Sequence, residues 1–121
     1  MRRLRHFLQV FVFVGMVVAS MGKPTKEASL EIDALLARIE TNDEIVFIRN
    51  GSEFSGKDAA AHLRLKLGKS EDRVTTAEDF ISICASKSSA SGKNYLVRSG
   101  SKDPEEAGAY FSRILKEIRS K

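Results

Sequence analysis

Within the eleven residues Ala85-Ser86-Lys87-Ser88-Ser89-Ala90-Ser91-Gly92-Lys93-Asn94-Tyr95 stand four serines, one glycine and two lysines. Three chemistries use that set. A phosphate loop wants an earlier glycine, a hydroxyl directly after the lysine, and a strand before with a helix after. Here Asn94 follows Gly92-Lys93 and the order reads helix, loop, strand, so this chemistry is excluded. A serine hydrolase is the enzymatic alternative, drawing its nucleophile and lysine base from the loop 86–93. It requires a lysine held against a serine in a dry pocket with oxyanion donors beside it. The third chemistry is recognition: serine hydroxyls, backbone N–H groups near Gly92, and Lys87, Lys93 and Arg98 holding an acidic group on a ligand or partner. Against it stands the plain alternative of a flexible polar connection.

The elements that must position this loop follow from periodicity. Ala28, Ile32, Leu35, Leu36 and Ile39 recur at helical spacing, predicting a helix from about Thr25 to Thr41. Ile45-Val46-Phe47-Ile48-Arg49 and Ser52-Glu53-Phe54 flank Asn50-Gly51, the pair that supplies both positive-φ residues of a type I′ turn. That register sets Arg49 against Ser52 and Phe47 against Phe54, and leaves Arg49 beside the turn as a solvated guard of a sheet edge. Ser55 and Asp58 have capping spacing for a second helix ending at Gly68, with Ala59, Ala60, Leu63 and Leu67 inward. Leu65 falls on its far side, which suits a helix sandwiched in the fold better than a small dimer contact.

Thr75 and Glu78 offer a capping box for a third helix through Ala77, Phe80, Ile81, Ile83 and Cys84, ending near Ser86. Tyr95-Leu96-Val97 is a short strand that joins the hairpin. Asp103-Pro104-Glu105-Glu106 reads as cap, first-turn proline and two acids opening a last helix, buried through Ala107, Tyr110, Phe111, Ile114, Leu115 and Ile118. The expected fold is α+β, a small single domain of about four helices packed on a short three-stranded antiparallel sheet.

Two reactive residue types carry less than they suggest. His62 lies on the flank of the second helix, and without other ligands at metal spacing it makes no metal site. Cys84, the only cysteine, sits in the middle of an apolar helical face and reads as a small buried hydrophobe. No catalytic residue, metal or cofactor is assigned.

Arg2, Arg3 and Arg5 precede an apolar run from Phe7 to Val18 and then small residues, the pattern of a cleaved secretory signal, placed at residues 1–22. The run falls short of the ~20 residues a membrane-spanning helix needs. Residues 23–121 then form one domain without a disulfide, exported and with no membrane span after cleavage. Seventeen basic residues remain against 16 acidic ones. The alkaline balance thus belongs largely to the leader, and nucleic-acid binding loses its compositional support.

Phe47-Ile48-Arg49-Asn50-Gly51, Ala60-Ala61-His62-Leu63-Arg64-Leu65-Lys66-Leu67-Gly68, Thr76-Ala77-Glu78-Asp79-Phe80-Ile81 and Ala85 to Tyr95 occur in an order and spacing that resemble the YfeK-like family, small exported Gram-negative bacterial proteins classed as a domain of unknown function. The resemblance runs from Ile32 to about Ile118. It implies a periplasmic location and no catalytic residue, substrate or cofactor. It also directs attention to one surface as a binding site: Arg49, His62, Arg64, Ser88, Ser89, Ser91, Gly92 and Lys93. The expected role is a non-enzymatic binding or accessory module, a monomer or weak homodimer, for an envelope protein or an anionic envelope component.

Overall fold

In the computed structural model, which describes residues 23–121, the chain runs α1 (Lys26–Glu40), β1 (Ile45–Arg49), β2 (Ser52–Ser55), α2 (Gly56–Ser70), a 3-10 turn (Glu71–Arg73), α3 (Ala77–Cys84), β3 (Leu96–Ser99), β4 (Glu105–Glu106) and α4 (Ala107–Arg119). The leader assigned to residues 1–22 lies outside the described residues. Among the described residues no helix is long and apolar enough to cross a membrane.

The sheet has four antiparallel strands in the order β2-β1-β3-β4. Asn50 at φ 52° and Gly51 at φ 84° make the left-handed turn, and Phe47 pairs with Phe54 and Arg49 with Ser52 as the spacing requires. The expected three strands become four at Glu105–Glu106, the residues the sequence places in a helical first turn. There they pair with Val97 and Leu96, and the Ala107 N–H continues to the Tyr95 carbonyl at 2.9 Å. The unpaired backbone of β3 accounts for the difference, because satisfying a sheet edge outweighs the helical preference of two acids after a proline. As a result α4 starts at Ala107 with no side-chain cap.

Other boundaries move for equally local reasons. The capping box of α3 is Thr76 with Asp79, not Thr75 with Glu78: the shorter Asp79 carboxylate accepts from both the Thr75 and Thr76 N–H groups, at 3.0 and 3.1 Å. α2 passes through Gly68 to Ser70. α3 stops at Cys84, before Lys87 would enter its apolar face. α2 is also not sandwiched, since Leu65 stays 67% exposed on its outer side.

The four helices enclose one core with the sheet's inner face, built around Ile32, Leu35, Phe47, Leu63, Phe80, Tyr95, Val97 and Phe111. Cys84 is fully buried within it, and burial pushes its thiol pKa up. One close approach sets the packing of α1 on α2. A Cβ at Gly56 would fall 1.9 Å from the Ile39 carbonyl oxygen, so only glycine lets the start of α2 pass the end of α1.

Candidate functional site

Alternation along β1 puts Ile45, Phe47 and Arg49 on the same face, and the first two are buried. Arg49 is therefore the last inward-facing residue of a central strand, at the point where apolar cover ends. This corrects its reading as a guard of a sheet edge, because the edge position is taken by β2. Its guanidinium is half-buried, with Cζ 5.2 Å from the Phe54 ring centroid and Nη1 3.4 Å from His62 Nε2.

His62 reaches the same place from α2, on a stripe shared with Asp58, Lys66 and Lys69 at helical spacing. Arginine can only donate, so the contact with Arg49 makes Nε2 an acceptor. Lys66 Nζ donates to the Tyr95 hydroxyl at 3.0 Å and to the Lys87 carbonyl at 2.8 Å; the Tyr95 hydroxyl lies 3.4 Å from the same Nε2. The whole chain of contacts is consistent only with a neutral imidazole. Burial first, then Arg49, Lys66 and Lys69, hold its pKa below the ordinary 6.5.

The serine loop closes the site from the other side, and it is ordered by its own hydrogen bonds. Lys87 and Asn94 form an antiparallel bridge, and the Tyr95 N–H donates to the Ser86 carbonyl at 2.9 Å. The Ser88 N–H donates to the Lys93 carbonyl and the Gly92 N–H to the Ser88 carbonyl, both at 2.9 Å, with Gly92 at φ 77°. Ser88 is buried, and its Oγ accepts from Asn50 Nδ2 at 3.2 Å. The Ser91 hydroxyl donates to Asn50 Oδ1. The hairpin tip is thereby clamped to the loop, so the loop is no flexible connection.

Two concavities result. One, of about 370 Å³, is walled by Arg49, Asn50, His62, Lys66, Lys69, Ser88, Ser89, Ala90 and Tyr95. It carries three cationic side chains together with hydroxyl and amide groups, and no carboxylate. The other, of about 240 Å³, is walled by Phe47, Phe54 and Ala59 together with Arg49, Asp58 and His62. Arg49 and His62 belong to both.

Of the residues named from sequence, the structure brings Arg49, His62, Ser88 and Ser89 to the larger cleft. Ser91 and Gly92 shape the loop behind it. Arg64 is on the outer side of α2, paired with Glu40 at 2.9 Å, and Arg98 is paired with Glu53 at 2.9 Å. Lys93 is exposed and enters the site only through its backbone, donating to Ser91 Oγ at 3.2 Å. Sequence reasoning missed Asn50, Lys66, Lys69 and Tyr95 as site residues. The signal for the two lysines was present: they lie four and seven residues after His62 on one helix.

Chemically the cleft can bind an anion. Five of the seven described arginines, Arg38, Arg64, Arg98, Arg113 and Arg119, have carboxylate partners at 3.1 Å or less. Arg49, Lys66 and Lys69 have none within 4.0 Å among the described residues. Among those residues no serine hydroxyl is hydrogen-bonded to a lysine Nζ or to His62, and no group of three or more His, Cys, Asp or Glu side chains is placed to hold a metal ion.

Comparison with known proteins places these residues in a family. The chain is 44% identical over 64 residues to the uncharacterized protein YfeK of Salmonella typhimurium, a match covering 53% of this chain and 53% of that protein. The similarity thus spans about half the length of the curated relative. No solved structure matches. A family profile matches residues 26–119, from the first residue of α1 to the last of α4. The chain belongs to that family, DUF5329, a family of unknown function.

Proposed function

We propose that this chain is an exported, periplasmic binding module that holds an anionic component of the bacterial envelope in the cleft between the hairpin tip, α2 and the serine loop. One observation carries the reading. Arg49, Lys66 and Lys69 converge on a cleft with no carboxylate in its walls, whereas five other arginines are neutralised by partners. Gathering like charges costs energy in the free protein, and a bound anion offsets it. Export is supported by Arg2, Arg3 and Arg5 ahead of the apolar run Phe7 to Val18.

The alternative of a serine hydrolase in the loop 86–93 draws no comparable support. Ser86 donates to the Ile81 carbonyl at 2.7 Å, and Ser88 and Ser91 are engaged with Asn50. Among the described residues no base is hydrogen-bonded to any of these three hydroxyls, and nucleophile activation needs one.

The test is an amide NMR titration of the isotopically labelled protein with fractionated envelope extracts, repeated on Lys66→Glu. Shifts centred on Arg49, His62, Lys66 and Ser88 to Ser89 that vanish in the variant support the reading. Binding that survives Lys66→Glu, or labelling by a serine-reactive probe that Ser88, Ser89 or Ser91 substitution abolishes, would overturn it.

A further inference from the structure

The two concavities are not independent. Arg49 and His62 line both, and the contact that joins these two side chains is a single long one of 3.4 Å. On one side of the pair are Lys66, Lys69, Asn50 and the loop serines; on the other are the rings of Phe47 and Phe54 and the methyl of Ala59. Cationic and apolar surface are thus separated across one shared wall, with the Asp58 carboxylate on the apolar side. We propose, building on the anion-binding reading above, that the ligand is a small amphipathic anion. Its carboxylate or phosphate is set against Arg49, Lys66 and Lys69, and an uncharged aromatic or branched aliphatic end enters the chamber of Phe47, Phe54 and Ala59.

Size, donors and charge each favour this class. The apolar chamber, at about 240 Å³, exceeds the ~150 Å³ in which a benzene ring is accommodated by an apolar protein cavity. In the cationic cleft Lys66 has three N–H donors and uses two, on the Lys87 carbonyl and the Tyr95 hydroxyl, leaving one for a ligand. Arg49 uses one of its N–H groups on His62, and the remainder of the fork is available to a carboxylate or phosphate oxygen. Asp58 in the wall of the apolar chamber sets the polarity of the ligand, because its carboxylate repels a second anionic end. A molecule with one charged and one apolar end therefore has a single favourable orientation.

Calorimetry and amide NMR on the purified protein with three probes decide it: phenyl phosphate, inorganic phosphate and benzyl alcohol. The expected result is that phenyl phosphate binds roughly ten- to a hundredfold tighter than inorganic phosphate, the gain from burying a phenyl-sized group. Its shifts cover Phe54 and Ala59 as well as Lys66, Ser88 and Ser89, and in Phe54→Ala the two phosphates bind alike. Should that variant fail to fold, the comparison of probes on the unaltered protein decides alone. Equal affinity for the two phosphates, with shifts confined to the cationic cleft, would overturn the amphipathic ligand and leave anion binding standing. Failure of both phosphates to bind, or benzyl alcohol binding as tightly as phenyl phosphate, would overturn both readings.

Discussion

Arg49 Nη1 lies 3.4 Å from His62 Nε2, so a permanent cation faces an imidazole that must stay neutral to accept from it. Burial and the three cations Arg49, Lys66 and Lys69 depress the His62 pKa below 6.5, and Tyr95 and Asp58 are the other titratable side chains lining the same two cavities. The neutral form is thus favoured in the folded state. Its contribution to stability is full above pH 6.5, the ordinary histidine value, and is lost as pH falls through the lower folded-state value. Denaturant midpoints measured from about pH 8 down to about pH 5 should decline for the native protein and change less for His62→Gln.

Anion affinity should run the opposite way. Protonated His62 adds a fourth positive charge to the cleft, so inorganic phosphate at a fixed charge state, or sulfate, should bind tighter as pH falls, by roughly three- to tenfold for one partly solvated charge. By linkage the bound anion raises the His62 pKa. A histidine titration followed by NMR with and without sulfate checks the sign, and His62→Gln should abolish the pH dependence.

Asn50 combines a left-handed backbone with two side-chain bonds, to Ser88 and Ser91, and substitutions can separate them. Asn50→Gly keeps the turn and loses only the side-chain bonds, expected to cost roughly 0.5–1.5 kcal/mol for each of the two. Asn50→Ala adds a left-handed alanine at roughly 1–2 kcal/mol more. Urea unfolding should rank native, glycine and alanine in that order. Hydrogen exchange in residues 88–93 should accelerate in both variants.

Two glycines of α2 should respond with opposite signs. Gly56→Ala forces a methyl onto the Ile39 carbonyl and should destabilise by roughly 1–3 kcal/mol or more. Gly68 has open space around a Cβ position and lies within the helix, so Gly68→Ala should stabilise by roughly 0.5–1 kcal/mol. Thermal unfolding of the two variants is sufficient.

Cys84 is fully exposed only when the core opens, and its raised pKa disfavours the thiolate. Its reaction with a thiol reagent should therefore be slow in the native protein and should track the denaturant dependence of global unfolding. Rapid labelling without denaturant would contradict the burial.

Much of the fold was legible because local signals and tertiary packing agreed. The periodicity of Ala28 to Ile39 places α1 within a residue of its ends, and Asn50-Gly51 fixes the hairpin register. The fourth strand was hidden because Glu105 and Glu106 carry no strand preference; their pairing depends on the vacant edge of β3, a partner no local pattern reveals. The site was legible by half for a similar reason. Arg49 and the serine loop stand out by composition, but Lys66 and Lys69 look like the solvated face of a helix until Tyr95 and the Lys87 carbonyl are placed beside Lys66, and Lys69 in the wall of the same cleft. Lys93 and Arg64 are equally basic in sequence, and the structure turns them elsewhere.

The bond from Asn50 to Ser88 joins positions 38 residues apart, and that from Asn50 to Ser91 spans 41. Contacts of such separation must overcome a loop-closure entropy that the hairpin and α2 do not face. During folding, Arg49, His62 and Lys66 can therefore be brought near one another by local structure while the cleft still lacks a wall. The wall is complete only when residues 88–95 dock. A ligand that requires the closed cleft consequently distinguishes the finished protein from a chain that has made its hairpin and second helix but not its last contacts.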